Sequence, residues 1–575
     1  MRQFVRLFVG GLFLLLIAVG WFWWNRPQSV DMAAYVPADS LVYLESNSLT
    51  DVARTMAETD AGRSLGPSLG MKSNRWQDRW PTFLARWTGI GPAESVIVAR
   101  SQVAFVMLND LTATGKGDAL EFKPLAALVV ETHTSASRIK PVLERMAGDL
   151  ARRQYGQPTL EHVKSDDNEL LEWIAPGGER RIVATIDGTA AIIGNDEHAV
   201  SECLAARRGQ RPSLLNQPEL QQMRLRLGAS GALAFGYVSS ASTARLFPVA
   251  ISLIFGKLPD ELQIQKLLAV GAAKVLDGVA WSAQPFAGGI EDRYLFSLKP
   301  AVIARLRAAF KSPARQHQTW ELLPANTHSL TSYNFQDPAA AWDSLNAAVS
   351  SEVDALSAVF FASAFKASLG PYGIDQPEVF LRVIKPEVLT VRLESGSERP
   401  VVIATVGDEK VLRQLVTSHL GPNSRTEQVG DGQLLVSADE RSAAAFVDHH
   451  LVMGSTADVR RCLLARAQKG AIISSPSNLK ALTSYVDMVA PANVVTYTND
   501  GERVRGLLLG LAAIRARETA SVSADAARVI NNLPYAVTET RLGPFGFERR
   551  TRSPLGQFSS VFSFLTPEQP PQKAN

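Results

Sequence analysis

The sequence predicts an α+β fold: an N-terminal transmembrane helix, then two similar domains, each a mainly antiparallel or mixed sheet with helices packed on one face. Three observations predict it. An uncharged apolar run opens the chain, the remainder carries one order of motifs twice, and within each copy hairpin signals alternate with amphipathic helical patterns.

Residues Leu7 to Trp24 (LFVGGLFLLLIAVGWFWW) contain no charged side chain. Such a run makes a helix of roughly 27 Å, close to the hydrocarbon thickness of a bilayer. Arg2 and Arg6 precede it, which places the N-terminus in the cytoplasm, and Trp21, Phe22, Trp23 and Trp24 suit an interfacial aromatic belt. A signal peptide cleaved after Ala18-Val19-Gly20 is the competing reading. The apolar run continues four aromatic residues past that site, which favours an anchor.

The duplication is read from matched segments in a shared order. Arg181 to Gly209 and Ser442 to Gly470 both read strand, tight turn, strand, Gly, polar cap and helix, with Cys203 and Cys462 at one position. Pro37 pairs with Pro324, Tyr237 with Tyr497 and Arg245 with Arg505. The resulting organisation is an anchor over 1–31 with its helix at about 7–24, a first domain over 32–312, a second over 315–562 and a disordered Pro/Gln-rich tail over 563–575. Asp187-Gly188 marks a hairpin turn within Ile182 to Gly194. Ile139, Val142, Leu143 and Met146 give the segment from Ser137 to Leu150 a helical apolar face.

Composition excludes several classes. The net charge of +3, from 59 basic and 56 acidic residues, supplies no field for nucleic acid. Two cysteines make neither a disulfide framework nor a multi-cysteine zinc module. A Cys203–Cys462 bridge would need the two equivalent helices to face each other, and a small core residue is the plainer role for each.

The opening Val36-Pro37-Ala38-Asp39-Ser40, its counterpart Leu323-Pro324-Ala325-Asn326-Thr327, and Gly373-Ile374-Asp375 resemble motifs of the bacterial family known as domain of unknown function 3352. The first copy departs from the last motif, reading Gly89-Ile90-Gly91. The resemblance implies an exported protein held by one span in the bacterial inner membrane, with the bulk of the chain extracytoplasmic. It implies no activity, cofactor or functional residue.

Motifs that could carry catalysis are weak. Gly62-Arg63-Ser64-Leu65-Gly66 and Gly66-Pro67-Ser68-Leu69-Gly70 fit G-x-S-x-G, but a helical pattern precedes them where a nucleophile elbow needs a strand. Ser137/Lys140 and Ser477/Lys480 fit S-x-x-K at helix starts, where Ser is a natural cap. His449-His450 falls in a hairpin turn and has no acidic cluster nearby to complete a metal site. Two features suggest contacts instead. Arg245 to Phe255, which includes Phe247, and Arg505 to Arg515, which includes Leu509, are apolar almost all round, so they are buried or touch something apolar. Trp76, Trp80 and Trp87 each follow an arginine, a pattern that packs on a sheet or suits a membrane interface or glycan.

The function these observations support is a non-enzymatic, membrane-tethered extracytoplasmic binding or scaffolding protein of the bacterial envelope, without metal or cofactor. Its partner would be an envelope protein, a glycan or a lipid. The alternative is a carrier or sensor of an apolar ligand such as lipid, and a hydrolase is least favoured because no nucleophile–base constellation assembles.

Overall fold

The computed structural model describes residues 29–67, 91–111, 124–165, 168–246, 274–313, 318–352, 369–397, 399–430, 432–467, 492–515 and 523–557, with a few single positions between them. The first ten strands are β1 (Val42–Ser46), β2 (Gln102–Leu111), β3 (Pro124–Glu131), β4 (Thr159–Ser165), β5 (Asn168–Ile174), β6 (Arg181–Asp187), β7 (Ala190–Gly194), β8 (Ala234–Val238), β9 (Leu276–Phe286) and β10 (Gly289–Leu298). The next ten are β11 (Ser329–Asn334), β12 (Ile384–Arg392), β13 (Val401–Val406), β14 (Arg425–Val429), β15 (Gly432–Val436), β16 (Ser442–Val447), β17 (His450–Ser455), β18 (Val494–Thr498), β19 (Ala536–Leu542) and β20 (Gly546–Ser553).

These strands correct the predicted fold class. Two domains with a sheet each are expected, but among the described residues all 20 strands lie in one sheet and every pairing is antiparallel. Following the pairings from edge to edge, the order is β4-β5-β6-β7-β3-β2-β1-β8-β9-β10, then β20-β19-β18-β11-β12-β13-β17-β16-β15-β14. The first ten and the last ten follow the same path in opposite directions. The ladder between β10 and β20 is what makes one sheet of them.

Register locates the axis that relates the halves. Tyr237 faces Ala280, which faces Leu295; Tyr497 faces Val537, which faces Arg552. Leu295 therefore corresponds to Arg552, and two residues earlier on each strand Arg293 corresponds to Arg550. Arg293 and Arg550 are also direct partners across the junction. A local two-fold axis passes between them.

Helices cover both faces of the sheet, not one. The helices used below are α1 (Leu49–Glu58), α2 (Asp60–Leu65), α3 (Ala136–Tyr155), α4 (Glu197–Arg207), α5 (Pro218–Leu227), α6 (Glu409–Leu420), α7 (Thr456–Ala467), α8 (Gly501–Arg515) and α9 (Ala524–Asn531). On one face, called A, α4 and α5 pack over Tyr43, Val106, Val129 and Ile192, and α7 packs over Leu330, Val391, Ile403 and Val452. On the other, B, α3 packs over Leu171, Trp173 and Ala184, and α6 over Val402, Ala404 and Leu451. Strands such as VVIATV (Val401–Val406) are apolar at nearly every position because both their faces are covered. α6 shows how local chemistry sets an element: Asp408 caps the Val411 N–H, Leu412, Val416 and Leu420 recur at the helical spacing and are buried, and Gly421 takes a positive φ at the end.

The two hairpins β6–β7 and β16–β17 are clamped alike. Arg207 of α4 pairs with Asp187 at the first turn, and Arg466 of α7 pairs with Asp448 at the second. Each arginine lies four residues after a cysteine, Cys203 or Cys462, whose thiol is buried in the face-A core of its own half and unbridged. Burial pushes both thiols up to about 12. Gly194 ends β7 and Gly454 is the last residue but one of β17; a Cβ at either would crowd the neighbouring strand β3 or β13, or a residue packed beside it.

No helix among the described residues is long and apolar enough to cross a membrane, and this overturns the assignment to the inner membrane by a single span. The longest described helix, α3, carries Arg138, Lys140, Glu144, Arg145, Asp149, Arg152 and Arg153, and is amphipathic instead. The segment 7–24 lies outside the described residues, as do the tail from 563 and residues 247–255 of the first apolar run.

The second apolar run forms most of α8, and it joins the halves on face B. Val504, Leu507 and Leu508 pack with Ala526 and Ile530 of α9, and with Ala61 and Leu65 of α2 from the first half. Leu509 is only partly buried. Leu507→Ala should therefore lower unfolding free energy by about 2–5 kcal/mol, and Leu509→Ala by less than about 1.5 kcal/mol, in urea denaturation. Equal losses at the two positions would contradict this placement.

Candidate functional site

A groove of about 270 Å³ opens on face A over the two-fold axis. Its floor is Leu295 and Arg293 of β10, Glu548 and Arg550 of β20, and Glu539 and Arg541 of β19; Arg226 and Leu227 of α5, Phe545 and Ala492 complete it. Alternation along the strands brings these together, because directly opposed residues share a face: Arg293 opposes Arg550, Leu295 opposes Glu548, and Glu539 opposes Arg550 from the other side. Tyr294 and Arg549 also line the groove, but alternation directs their side chains to face B, where the Arg549 guanidinium lies 5.7 Å from the Tyr294 ring centre.

α5 is held in place by a half-buried polar network one turn before the groove. Arg224 donates to Asp31 at 2.7 and 3.0 Å and to Glu45 at 2.7 Å, and the Tyr43 hydroxyl donates to Glu45 at 2.6 Å. Burial raises the Glu45 carboxyl above its ordinary value even though Arg224 opposes the shift. Gly228 then ends α5 in the left-handed conformation, and Gln284 of β9 donates to its carbonyl at 2.8 Å. Arg226 therefore sits at a fixed place over the sheet, its guanidinium 4.2 Å from the Phe545 ring centre. Its other partners are neutral: the Ser297 hydroxyl at 3.3 Å and the Gln222 amide at 3.4 Å.

Glu291 lies buried beside the axis and serves several arginines. It accepts from Arg293 Nε at 2.6 Å and from Arg552 Nε at 2.7 Å, and Arg550 Nε is 3.7 Å away. Burial raises its pKa, but the hydrogen bonds from Arg552 and Arg293 and the nearby positive charge outweigh that and hold it below the ordinary value. Glu548, at the matching place on β20, pairs with Arg541 at 2.8 Å.

On face B under the same strand, Asp292 is fully buried. It accepts from the Trp281 indole at 2.9 Å and the Gln557 amide at 2.7 Å. Asp500, just before α8, and Arg503 of α8, themselves an ion pair, lie near it.

A second cavity of about 400 Å³ lies in the second half, lined by Tyr372, Arg399, His419, Ser442, Met453 and three glycines. Gly373-Ile374-Asp375 reaches it: Gly373 has φ of +73°, and Asp375 accepts from or donates to His419 Nδ1 at 2.9 Å according to their protonation. This is an acid–histidine pair beside a serine, yet the Ser442 hydroxyl accepts from Arg399 at 3.4 Å and has no hydrogen bond to His419 among the described residues. A nucleophile–base pair is not assembled there.

The other sequence motifs fall as follows. Gly62 and Ser64 are inside α2, so no elbow forms. Ser137 and Lys140 are in the first turns of α3, with Lys140 on Glu169 at 2.7 Å. Asp448 and His449 form the β16–β17 turn, both at positive φ, and His450 begins β17. Among the described residues no cluster of His, Cys, Asp or Glu could hold a metal ion. Trp76, Trp80, Trp87, Phe247 and the Ser477/Lys480 pair lie outside the described residues.

The groove was not among the sequence candidates. Its signal is Glu548-Arg549-Arg550-Thr551-Arg552, a charged stretch that occupies a central strand. Comparison of the chain with family models, curated proteins and solved structures finds no match.

Burial raises the Asp292 carboxyl to about 6 from 3.8. A carboxyl whose folded value is raised favours the folded state when protonated. Its contribution, about 3 kcal/mol for this shift, is full below 3.8 and lost as pH rises through about 6. Asp292→Asn removes this titration, so its unfolding free energy measured against pH should lack the fall that the wild type shows over that window. Parallel curves would contradict the assignment.

Proposed function

We propose that this chain is a non-catalytic binding protein whose ligand site is the groove over the two-fold axis and whose ligand is a small anion bearing carboxylate or phosphate. The observation that carries this reading is the convergence of Arg226, Arg293, Arg541 and Arg550 on one groove. Arg293 and Arg550 oppose each other directly, an arrangement of like charges that destabilises a sheet unless a counter-charge lies between them. Glu291 supplies part of that counter-charge from the protein, and an anion in the groove supplies more. Guanidinium groups hold carboxylate and phosphate through paired N–H donors, with about 1.5–3 kcal/mol for each charged hydrogen bond. The arginine lining disfavours the apolar-ligand alternative, because an apolar guest would leave these groups desolvated without partners.

Thermal unfolding at low ionic strength tests the reading. Citrate, phosphate or succinate at a hundred times its dissociation constant should stabilise the chain by about 2.7 kcal/mol and raise its melting temperature, while chloride at matched ionic strength should not. Arg550→Met should remove the difference between these anions and chloride. If every anion acts like chloride on the wild type, the reading fails.

A further inference from the structure

We infer that the cavity of about 400 Å³ beside α6 is a second ligand site, independent of the groove, and that its ligand is a small carboxylic acid with an apolar body. The cavity is lined by His419 from the last turn of α6, by Tyr372 and Gly373, by Ser442 of β16 and Met453 of β17, and by Arg399 just before β13. Met453 belongs to the face-B core of the second half, so the cavity lies on the opposite face from the groove.

Two polar groups in the lining have capacity left for a ligand. The Arg399 guanidinium is exposed, and among the described residues its one hydrogen bond goes to the neutral Ser442 hydroxyl at 3.4 Å. That leaves most of its N–H donors for an acid, which a guanidinium can hold through paired contacts. His419 is oriented by Asp375, which meets Nδ1 at 2.9 Å and leaves Nε2 for a ligand, as a donor or an acceptor according to its protonation. Gly373 keeps that nitrogen clear. Its φ of +73° suits glycine, and a Cβ there would stand 3.0 Å from Nε2.

The first half differs at each of these places. Buried Ile139, Leu143 and Ala147 of α3 match buried Leu412, Val416 and Leu420 of α6, so Met146 stands where α6 has His419. Gly91 stands where the second copy has Asp375, and Arg181, paired with Asp196 at 2.9 Å, stands where it has Ser442. The same fold therefore forms without the histidine, its acid and the serine, and packing alone does not account for them.

The lining also sets the class of ligand. Arg399 is the one arginine or lysine in it among the described residues, so the site neutralises a single acidic group. Beyond Tyr372 and Met453 the cavity adjoins a small cleft lined by Ile374, Phe380, Leu415 and Leu451, and the two share Gly373 and Met453. An acid held at Arg399 can thus lay its other end against apolar side chains. At about 30 Å³ for each water-sized group, the main cavity holds roughly a dozen heavy atoms, which suits an acid of roughly five to ten carbons.

Titration calorimetry on the full chain tests the inference, with hexanoate, its neutral counterpart hexanol, and the shorter acids acetate and butyrate as probes. The charged contact should make hexanoate bind about ten- to hundred-fold tighter than hexanol. Each methylene buried between acetate and hexanoate should add about four-fold. Arg399→Gln should bring hexanoate down towards the hexanol value, and Arg399→Lys should restore part of the loss. Unchanged melting temperatures of the free variants separate a lost contact from lost folding. Hexanoate held in the groove instead would be displaced by citrate and indifferent to Arg399→Gln, and that result overturns the inference. Equal affinity for hexanoate and hexanol, or no gain with chain length, overturns it as well.

Discussion

Eight directly opposed residue pairs between β10 and β20 hold two ten-strand arrays in one sheet, and the other features of the molecule follow from that ladder. Without it, each array would present β10 or β20 as a long open edge, a template for pairing with other chains. With it, the free edges among the described strands are β4 and β14, short strands carrying Glu161, Lys164, Arg425 and Glu427. Charged residues on short edge strands are the ordinary protection against edge-to-edge association. The ladder also fixes the axis, and thereby brings two equivalent arginines face to face.

The junction is polar between two apolar cores. On face A the cores centred on Tyr43 and Tyr497 flank a strip of arginine and glutamate. Burying ions costs several kcal/mol each unless partners and hydrogen bonds compensate, and Glu291 meets this requirement by accepting from two arginines. Face B closes differently, with α2 of the first half packed against α8 and α9 of the second and Asp292 kept in hydrogen bonds beneath them. The two faces thus divide the work: apolar packing joins the halves on B, while A keeps an excess of cations open to solvent.

Much of the local structure is legible in the sequence. The hairpin at Arg181–Gly194 announces itself through Asp187-Gly188 between β-rich runs, and the helix at Ala136–Tyr155 through the spacing of Ile139, Val142 and Leu143. The single sheet is not legible, because pairing between β10 and β20 joins residues some 260 apart and leaves no periodicity. Composition gives no hint there either, since Glu548-Arg549-Arg550-Thr551-Arg552 carries four charged side chains and yet pairs with β10 on one side and β19 on the other. The groove is hidden for the same reason: Arg226, Arg293 and Arg550 stand far apart in the chain, and only the register makes them neighbours. α8 illustrates a different limit. Its all-round apolar pattern signals burial, yet part of the partner surface comes from α2 in the other half.

Disulfide trapping across the axis tests the central claim most directly. Arg293→Cys with Arg550→Cys places two thiols on directly opposed residues of neighbouring strands, while Arg293→Cys with Thr498→Cys separates them by strands. Cys203 and Cys462 are buried in separate cores and should stay reduced. One continuous sheet predicts that the first pair cross-links within the monomer under mild oxidation and the second does not. No cross-link in the first pair, in a folded chain whose introduced thiols react with a small alkylating reagent, would contradict the joined sheet and the groove built on it.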